Sequence, residues 1–215
     1  MARMPDNFID LTVTSPPYDN LRTYNGYCFD FENVAKELFR VTKQGGVVVW
    51  VVSDATINGS ETGTSFKQAL YFMQCGFNLH DTMIFRKKNP IPQIYRKRYN
   101  NEFEYMFVFS KGVVKTHNPL MVDCLHAGLE LNGTTYKNYS KNEQTREKMA
   151  NPVKAQKIKG NIWEYVVGTK QEDQEAKGHP AMFPEQLAND HILSWSNEND
   201  LVYDPFMGSK KKKKM

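Results

Sequence analysis

The chain has 215 residues, enough for one sizeable core and a smaller appended module, and its formal charge of +4 falls to −1 once the five lysines Lys210 to Lys214 are set aside, so overall charge excludes nothing. Cys28, Cys75 and Cys124 are widely spaced and form no C-x-x-C pair, which argues against a disulfide framework or a metal site and fits a reducing, cytoplasmic setting. An N-terminal apolar leader and any apolar run approaching roughly 18 residues are both missing, which argues against secretion and membrane spanning.

Ile9, Leu11 and Val13 alternate with polar neighbours until Ser15-Pro16-Pro17 breaks the pattern, which predicts a strand ending in a rigid loop, because proline cannot donate to a sheet ladder. Asp30 can cap a helix whose apolar stripe is Phe31, Val34, Ala35, Leu38 and Phe39, and Gly45-Gly46 closes the connection that follows. Val47 to Val52 is a continuous β-branched run with Trp50 inside it, as expected of a central strand buried on both faces. Thr64 or Ser65 starts a second helix with Phe66, Ala69, Leu70 and Met73 on its apolar stripe, stopped at Gly76. The succession predicts right-handed crossovers and a doubly wound sheet.

Strands are expected over about Leu79 to Arg86 and Phe103 to Ser110, separated by a proline-containing basic stretch, Lys87 to Tyr99, that should project or move. From Lys111 to Gly178 periodicity fades, and only Asn161 to Val167 reads as a strand. Order returns at Pro184, a favoured first helical position, with Leu187, Ala188, His191, Ile192 and Trp195 on one stripe, and Leu201 to Tyr203 forms a short final strand. Arg86, Lys87, Lys88, Arg96, Lys97 and Arg98 lie in one stretch without a carboxylate, and a second basic region runs from Lys137 to Lys170. Such clusters either neutralise DNA phosphates or are ordinary solvated loops.

Two short segments carry chemistry: Thr14-Ser15-Pro16-Pro17-Tyr18 and Asp204-Pro205-Phe206-Met207-Gly208-Ser209. In isolation each reads more readily as a turn than as a site. Together and in this order they resemble the catalytic loop and the cofactor loop of the permuted, beta-class DNA methyltransferases that act on cytosine N4 or adenine N6. The resemblance extends through Asp19-Asn20-Leu21-Arg22, Gly45-Gly46-Val47, Phe103 to Gly112, Asn161-Ile162-Trp163 and His179 to Glu185. It implies an α/β, Rossmann-like S-adenosyl-L-methionine-dependent sheet with helices on both faces, incomplete at the C-terminus, plus an irregular recognition insertion. The implied division is a catalytic half over 1–112, a target-recognition region over 113–178, a return to the core over 179–209 and a lysine tail over 210–215.

The resemblance implies catalytic roles for Ser15, Pro16, Pro17 and Tyr18. An aromatic amino group is a poor nucleophile because its lone pair is delocalised. Acceptance of its two hydrogens by the Ser15 hydroxyl and the Pro16 carbonyl would localise that pair, without a covalent enzyme intermediate. Tyr18 would stack on a base flipped from duplex DNA. Asp204, Pro205, Phe206 and Gly208, with Phe183 and Pro184, are implied around S-adenosyl-L-methionine, although Phe183 and Phe206 read equally as core aromatics. No metal is implied. Ser in the first place of the tetrapeptide tilts the target toward cytosine N4. Carbon-5 methylation is disfavoured, because no cysteine follows a proline. Glutamine methyltransferases are disfavoured too, since their cofactor loop precedes the N-P-P-Y loop.

After Gly208-Ser209 the family pattern continues with a second glycine, a helix and a strand, whereas this sequence runs into lysines. The expectation is a truncated cofactor pocket with weak cofactor affinity. An exposed sheet edge and the family's habit of dimerising together imply a homodimer.

Overall fold

The computed structural model describes residues 1–17, 29–92, 97–128, 135–139, 144–148, 153–168 and 184–206. These divide into one unit of Met1–Asn118 with Asn161–Met215, and a second of Pro119–Gly160.

The first unit is built on a six-stranded sheet of β1 (Ile9–Thr14), β2 (Thr42–Val52), β5 (Asn78–Lys87), β6 (Phe103–Ser110), β11 (Ile162–Tyr165) and β12 (Val202–Tyr203). Its spatial order is β11-β5-β6-β2-β1-β12. β12, β1 and β2 run parallel to one another, and so do β5 and β11. β6 lies antiparallel between β2 and β5, so the sheet is mixed rather than wholly parallel. β5 and β6 are joined by residues 88–102, in which no helix occurs among the described residues, and strands joined without a crossover helix pair as antiparallel neighbours.

Among the described residues three helices flank the sheet: α1 (Phe31–Val41), α2 (Thr64–Gln74) and α3 (Glu185–Trp195). Alternation along β2 divides its side chains. Val48, Trp50 and Val52 join Ala35 and Leu38 of α1, Ala69 and Phe72 of α2, and Phe77, Phe107 and Phe109 in one cluster. Met106, opposite Val51 and on the other face, meets His191 of α3 across 3.3 Å. Helices therefore cover both faces, and Val47 to Val52 is fully buried as its β-branched run predicts. The cluster is rich in aromatic edges; Phe72 stacks on Phe109 at 4.6 Å and meets Trp50 edge-on at 4.9 Å. Between β1 and β2 the register shifts, and a side chain at Gly46 would come within 2.9 Å of the Asp10 carbonyl oxygen, so the strands approach only because that position is glycine.

Asp30 caps α1 as expected, its carboxylate accepting from the Asn33 amide at 3.2 Å. The stripe of α2 departs from expectation. Ser65, Gln68, Ala69 and Phe72 are buried, whereas Phe66, Leu70 and Met73 are half or more exposed or nearly so (50%, 60% and 46%). Two polar anchors set this rotation. Trp50 Nε1 donates to Gln68 Oε1 at 2.8 Å in the core, and Asp54, just after β2, accepts from the Ser65 amide at 2.9 Å and from its hydroxyl. A buried indole N–H without a partner would cost about 1–3 kcal/mol, comparable with the exposure of one apolar side chain. A small hairpin that hydropathy did not signal, β3 (Thr56–Ile57) with β4 (Ser60–Glu61), turns through Asn58-Gly59, both with positive φ.

The second unit pairs β7 (Met121–Asp123) with β10 (Gln156–Ile158) and β8 (Thr135–Tyr139) with β9 (Gln144–Lys148), each antiparallel. Sequence reading found no strand here. Every residue of β10 is exposed, so there is no alternation to detect. This unit lies inside the region 113–178 expected to carry recognition.

Candidate active site

Because β1, β2 and β12 are parallel, their C-terminal ends open on one edge of the sheet, the edge at which open α/β sheets bind ligands. Ser15-Pro16-Pro17 leaves that edge from β1, Ser53-Asp54 from β2 and Asp204-Pro205-Phe206 from β12. β12 lies beside β1 in the register Leu11 to Val202 and Thr12 to Tyr203. Residues almost two hundred positions apart are thereby made neighbours.

The two loops are joined directly. The buried Thr14 hydroxyl donates to Asp204 Oδ1 at 2.5 Å, and the same oxygen accepts the Phe206 amide at 2.9 Å. Pro16 is buried while Ser15 and Pro17 are half-buried, so the tetrapeptide begins as a fixed shoulder of the sheet. Phe206 packs its ring edge-on against Phe29 at 5.4 Å and Trp50 at 6.2 Å, and so joins the α1–α2 core. The ring is half-buried against that core. Burial and the nearby Asp204 carboxylate raise the Tyr203 phenol above its usual range. Tyr18, Gly208, Phe183 and Arg96 lie outside the described residues.

β11 and α3 flank the same edge. Tyr165, last in β11, donates to Asp190 Oδ2 at 2.7 Å, and Gln186 Nε2 donates to Asp190 Oδ1 at 2.6 Å. The first bond pins the middle of α3 to β11, and the second, one turn apart within α3, holds the Asp190 carboxylate in place to accept it. Burial and then the Asp190 carboxylate hold the Tyr165 phenol far above the ordinary tyrosine range. Sequence reading missed this pair, because neither residue stands in an apolar pattern.

The basic stretch is arranged otherwise than its composition suggests. Arg86 pairs with Glu164 at 2.9 Å and Glu102 at 3.8 Å, Lys87 pairs with Glu104 at 2.9 Å, and Arg98 pairs with Glu61 at 3.4 Å and donates to the Gly59 carbonyl. Lys88 and Lys97 are exposed and have no ion pair among the described residues. The stretch expected to project is also tethered near both ends. Asn89 exchanges two hydrogen bonds with Val167, and Arg98 rests on the β3–β4 hairpin.

A mixed sheet with paired loops at its ligand-binding edge defines an α/β enzyme of the methyltransferase architecture. The family model described as DNA methylase, spanning N6 and N4 enzymes, matches residues 9–211, and the chain belongs to that family. It is 55% identical over 208 residues to the orphan methyltransferase M.BamHII of Bacillus amyloliquefaciens, covering 95% of this chain and 78% of that protein. It spans as little as 23% of longer relatives. Among solved structures, the cytosine-N4-specific PvuII DNA methyltransferase superposes with a TM-score of 0.66 at 19% identity, over 94% of this chain and 69% of that one. M1.HpyAVI, solved in complex with S-adenosyl-L-methionine, gives 0.52 at 19% identity over 94% and 73%. At these identities the likeness is one of fold. No helix among the described residues is long and apolar enough to cross a membrane.

Proposed function

We propose that the chain transfers a methyl group from S-adenosyl-L-methionine to the exocyclic amino group of a base in double-stranded DNA, with cytosine N4 as the acceptor. The reading rests above all on the bond between Thr14 and Asp204, which ties the residue before Ser15-Pro16-Pro17 to the D-P-F segment at one edge. Family membership and the fold shared with a methylase solved with S-adenosyl-L-methionine support the choice of cofactor. The donor supplies an activated methyl carbon on a sulfonium; the chain's work is to bring an amino nitrogen in line with it.

In this reading Ser15 Oγ and the Pro16 carbonyl accept the two amino hydrogens and so localise the nitrogen lone pair. The prolines hold that carbonyl fixed, since neither can relax into a donating, sheet-like backbone. With the donor bound, methyl transfer to that nitrogen would release one proton, which Ser15 Oγ and the Pro16 carbonyl, as acceptors of the amino hydrogens, would pass to solvent. Proximity and hydrogen bonds that tighten in the transition state lower the barrier. Tyr18 stacks on the extruded base, partly offsetting an unstacking cost of about a few kcal/mol. Asp204, Pro205, Phe206 and Gly208 shape the cofactor loop, Phe206 by filling the core beneath it. Phe183 and Pro184 are assigned to the cofactor with them, Pro184 standing at the start of α3, and among the described cations of the basic stretch the exposed, unpaired Lys88 and Lys97 are assigned to phosphates.

Serine in the first place of the tetrapeptide supports cytosine N4 over adenine N6. The deciding experiment incubates the chain with unmethylated bacterial DNA and methyl-labelled S-adenosyl-L-methionine, then separates the nucleosides by mass. N4-methylcytosine is the expected product. N6-methyladenine would overturn the choice of base, and label in neither nucleoside would overturn the reading.

A further inference from the structure

We infer that Thr14 is a positioning residue: its hydroxyl, acting through the Asp204 carboxylate, sets the cofactor loop against the catalytic loop. The inference rests on the methyltransferase reading above and gives Thr14, which neither donates to nor accepts from the amino group there, a part in it. β12 has only two residues and ladders with β1 through two register pairs, so the strand pairing by itself defines weakly where the chain beyond it turns. Two side chains of β1 fasten it instead. At the far end Asp10 Oδ2 accepts the Leu201 amide at 3.0 Å, and at the ligand edge Thr14 Oγ1 donates to Asp204 Oδ1 at 2.5 Å.

The second fastener differs in kind from the first. Asp204 Oδ1 also accepts the Phe206 amide at 2.9 Å, so one carboxylate oxygen closes the D-P-F turn and ties it to the residue that immediately precedes Ser15. Any displacement of the cofactor loop is thereby carried to the peptide that bears the Ser15 hydroxyl. Thr12 provides an internal comparison. It is as deeply buried on the same strand, yet its hydroxyl has no partner in the described residues, so strand preference alone accounts for threonine there. At position 14 the hydroxyl donates to a charged acceptor, one of the stronger kinds of hydrogen bond a fold makes. Transfer is sensitive to placement at the scale of about 1 Å, at which roughly a hundredfold in rate is at stake.

The test compares the whole chain with its Thr14→Val and Thr14→Ser variants. Valine keeps the volume and removes the donor; serine restores the donor. For methyl transfer, Thr14→Val should raise KM for S-adenosyl-L-methionine and lower kcat together, reducing kcat/KM by about 10- to 100-fold, with Thr14→Ser within about threefold of the parent. A purely structural fastener would instead lower the melting temperature and leave both constants of the folded enzyme in place, and that result would overturn the inference. Hydrogen exchange of the unliganded proteins gives a readout independent of activity. The Phe206 amide, which donates to Asp204, should exchange faster in Thr14→Val and as in the parent in Thr14→Ser; unchanged exchange in both would also overturn it. Should the parent transfer no methyl group while exchange divides as expected, the proposed function fails and the loop coupling stands.

Discussion

The ligand edge of the sheet and the basic stretch over 86–98 assemble charge and polarity in opposite ways. At the edge, Thr14 and Asp204 are 190 positions apart and share a hydrogen bond, because two parallel strands deliver them side by side. In the basic stretch the cations adjoin one another in sequence, yet Arg86, Lys87 and Arg98 each face a glutamate brought from elsewhere: Glu164 on β11, Glu104 on β6 and Glu61 on β4. Strand topology thus creates proximity that the sequence hides and cancels charge that the sequence displays. A cluster of cations becomes a phosphate-binding surface only where the fold leaves it unpaired.

The sharpest way to break this comparison is at the edge itself. Ser15→Ala removes one acceptor of the amino hydrogens and leaves the half-buried shoulder Pro16-Pro17 in place. Turnover should fall by about a hundredfold, within the range seen when one group of a proton-handling pair is removed, with little change in melting temperature. Single-turnover methyl transfer measures it. Wild-type rates in Ser15→Ala would show that proximity of the two loops has no catalytic meaning.

A smaller effect is expected at the flank of the edge, on stability rather than rate. Tyr165→Phe takes one donor from the buried Asp190 carboxylate and should cost about 1–3 kcal/mol at neutral pH by denaturant unfolding. Its pH dependence carries the signature. The folded phenol is held above its ordinary value, so the protonated form is favoured by folding. That stabilisation is fully present below about pH 10, where both states keep the proton, and is lost as pH rises beyond it because only the unfolded chain ionises. The parent should lose up to about 1.4 kcal/mol per pH unit above pH 10 through this group, and Tyr165→Phe should lack that component. Parallel stability curves above pH 10 would remove Tyr165 from the account.

What was legible in the sequence follows the same physical division. The strands 103–110 and 47–52 and the capped helix from Asp30 were readable, because burial there leaves an unbroken or periodic apolar pattern. The loop order was readable from the two motifs. The face of α2 was misread, since hydropathy cannot register that Gln68 and Ser65 turn inward to meet Trp50 and Asp54. The antiparallel insertion of β6 goes with a connection in which no helix occurs among the described residues. β10 of the second unit is exposed throughout and carries no alternation, and the Asn58-Gly59 turn was the local sign of the β3–β4 hairpin. Nothing in a linear pattern announces Tyr165 with Asp190, or glutamates facing the basic stretch from three other elements.

The smallest effect, and the one that tests the basic stretch most directly, concerns DNA affinity rather than chemistry. If pairing with glutamate neutralises a cation, the exposed Lys88 and Lys97 should govern salt dependence while Arg86 should not. Removing one phosphate-binding cation flattens the plot of log affinity against log salt by about 0.9, so the double variant Lys88→Ala with Lys97→Ala should flatten it by up to about 1.8. Arg86→Ala should leave the slope within error and cost at most about 1 kcal/mol of stability, because its pairs with Glu164 and Glu102 are exposed on both sides. Lys87 differs from Arg86 in depth: its side chain and that of Glu104 are only 19% and 14% exposed, so Lys87→Ala should lower thermal stability and again spare the slope. Fluorescence anisotropy over a salt series separates the cases. A slope that drops equally for Arg86 and Lys97 would mean that phosphate competes successfully with the glutamates, and then contiguity in sequence, not pairing in the fold, would decide which cations meet DNA.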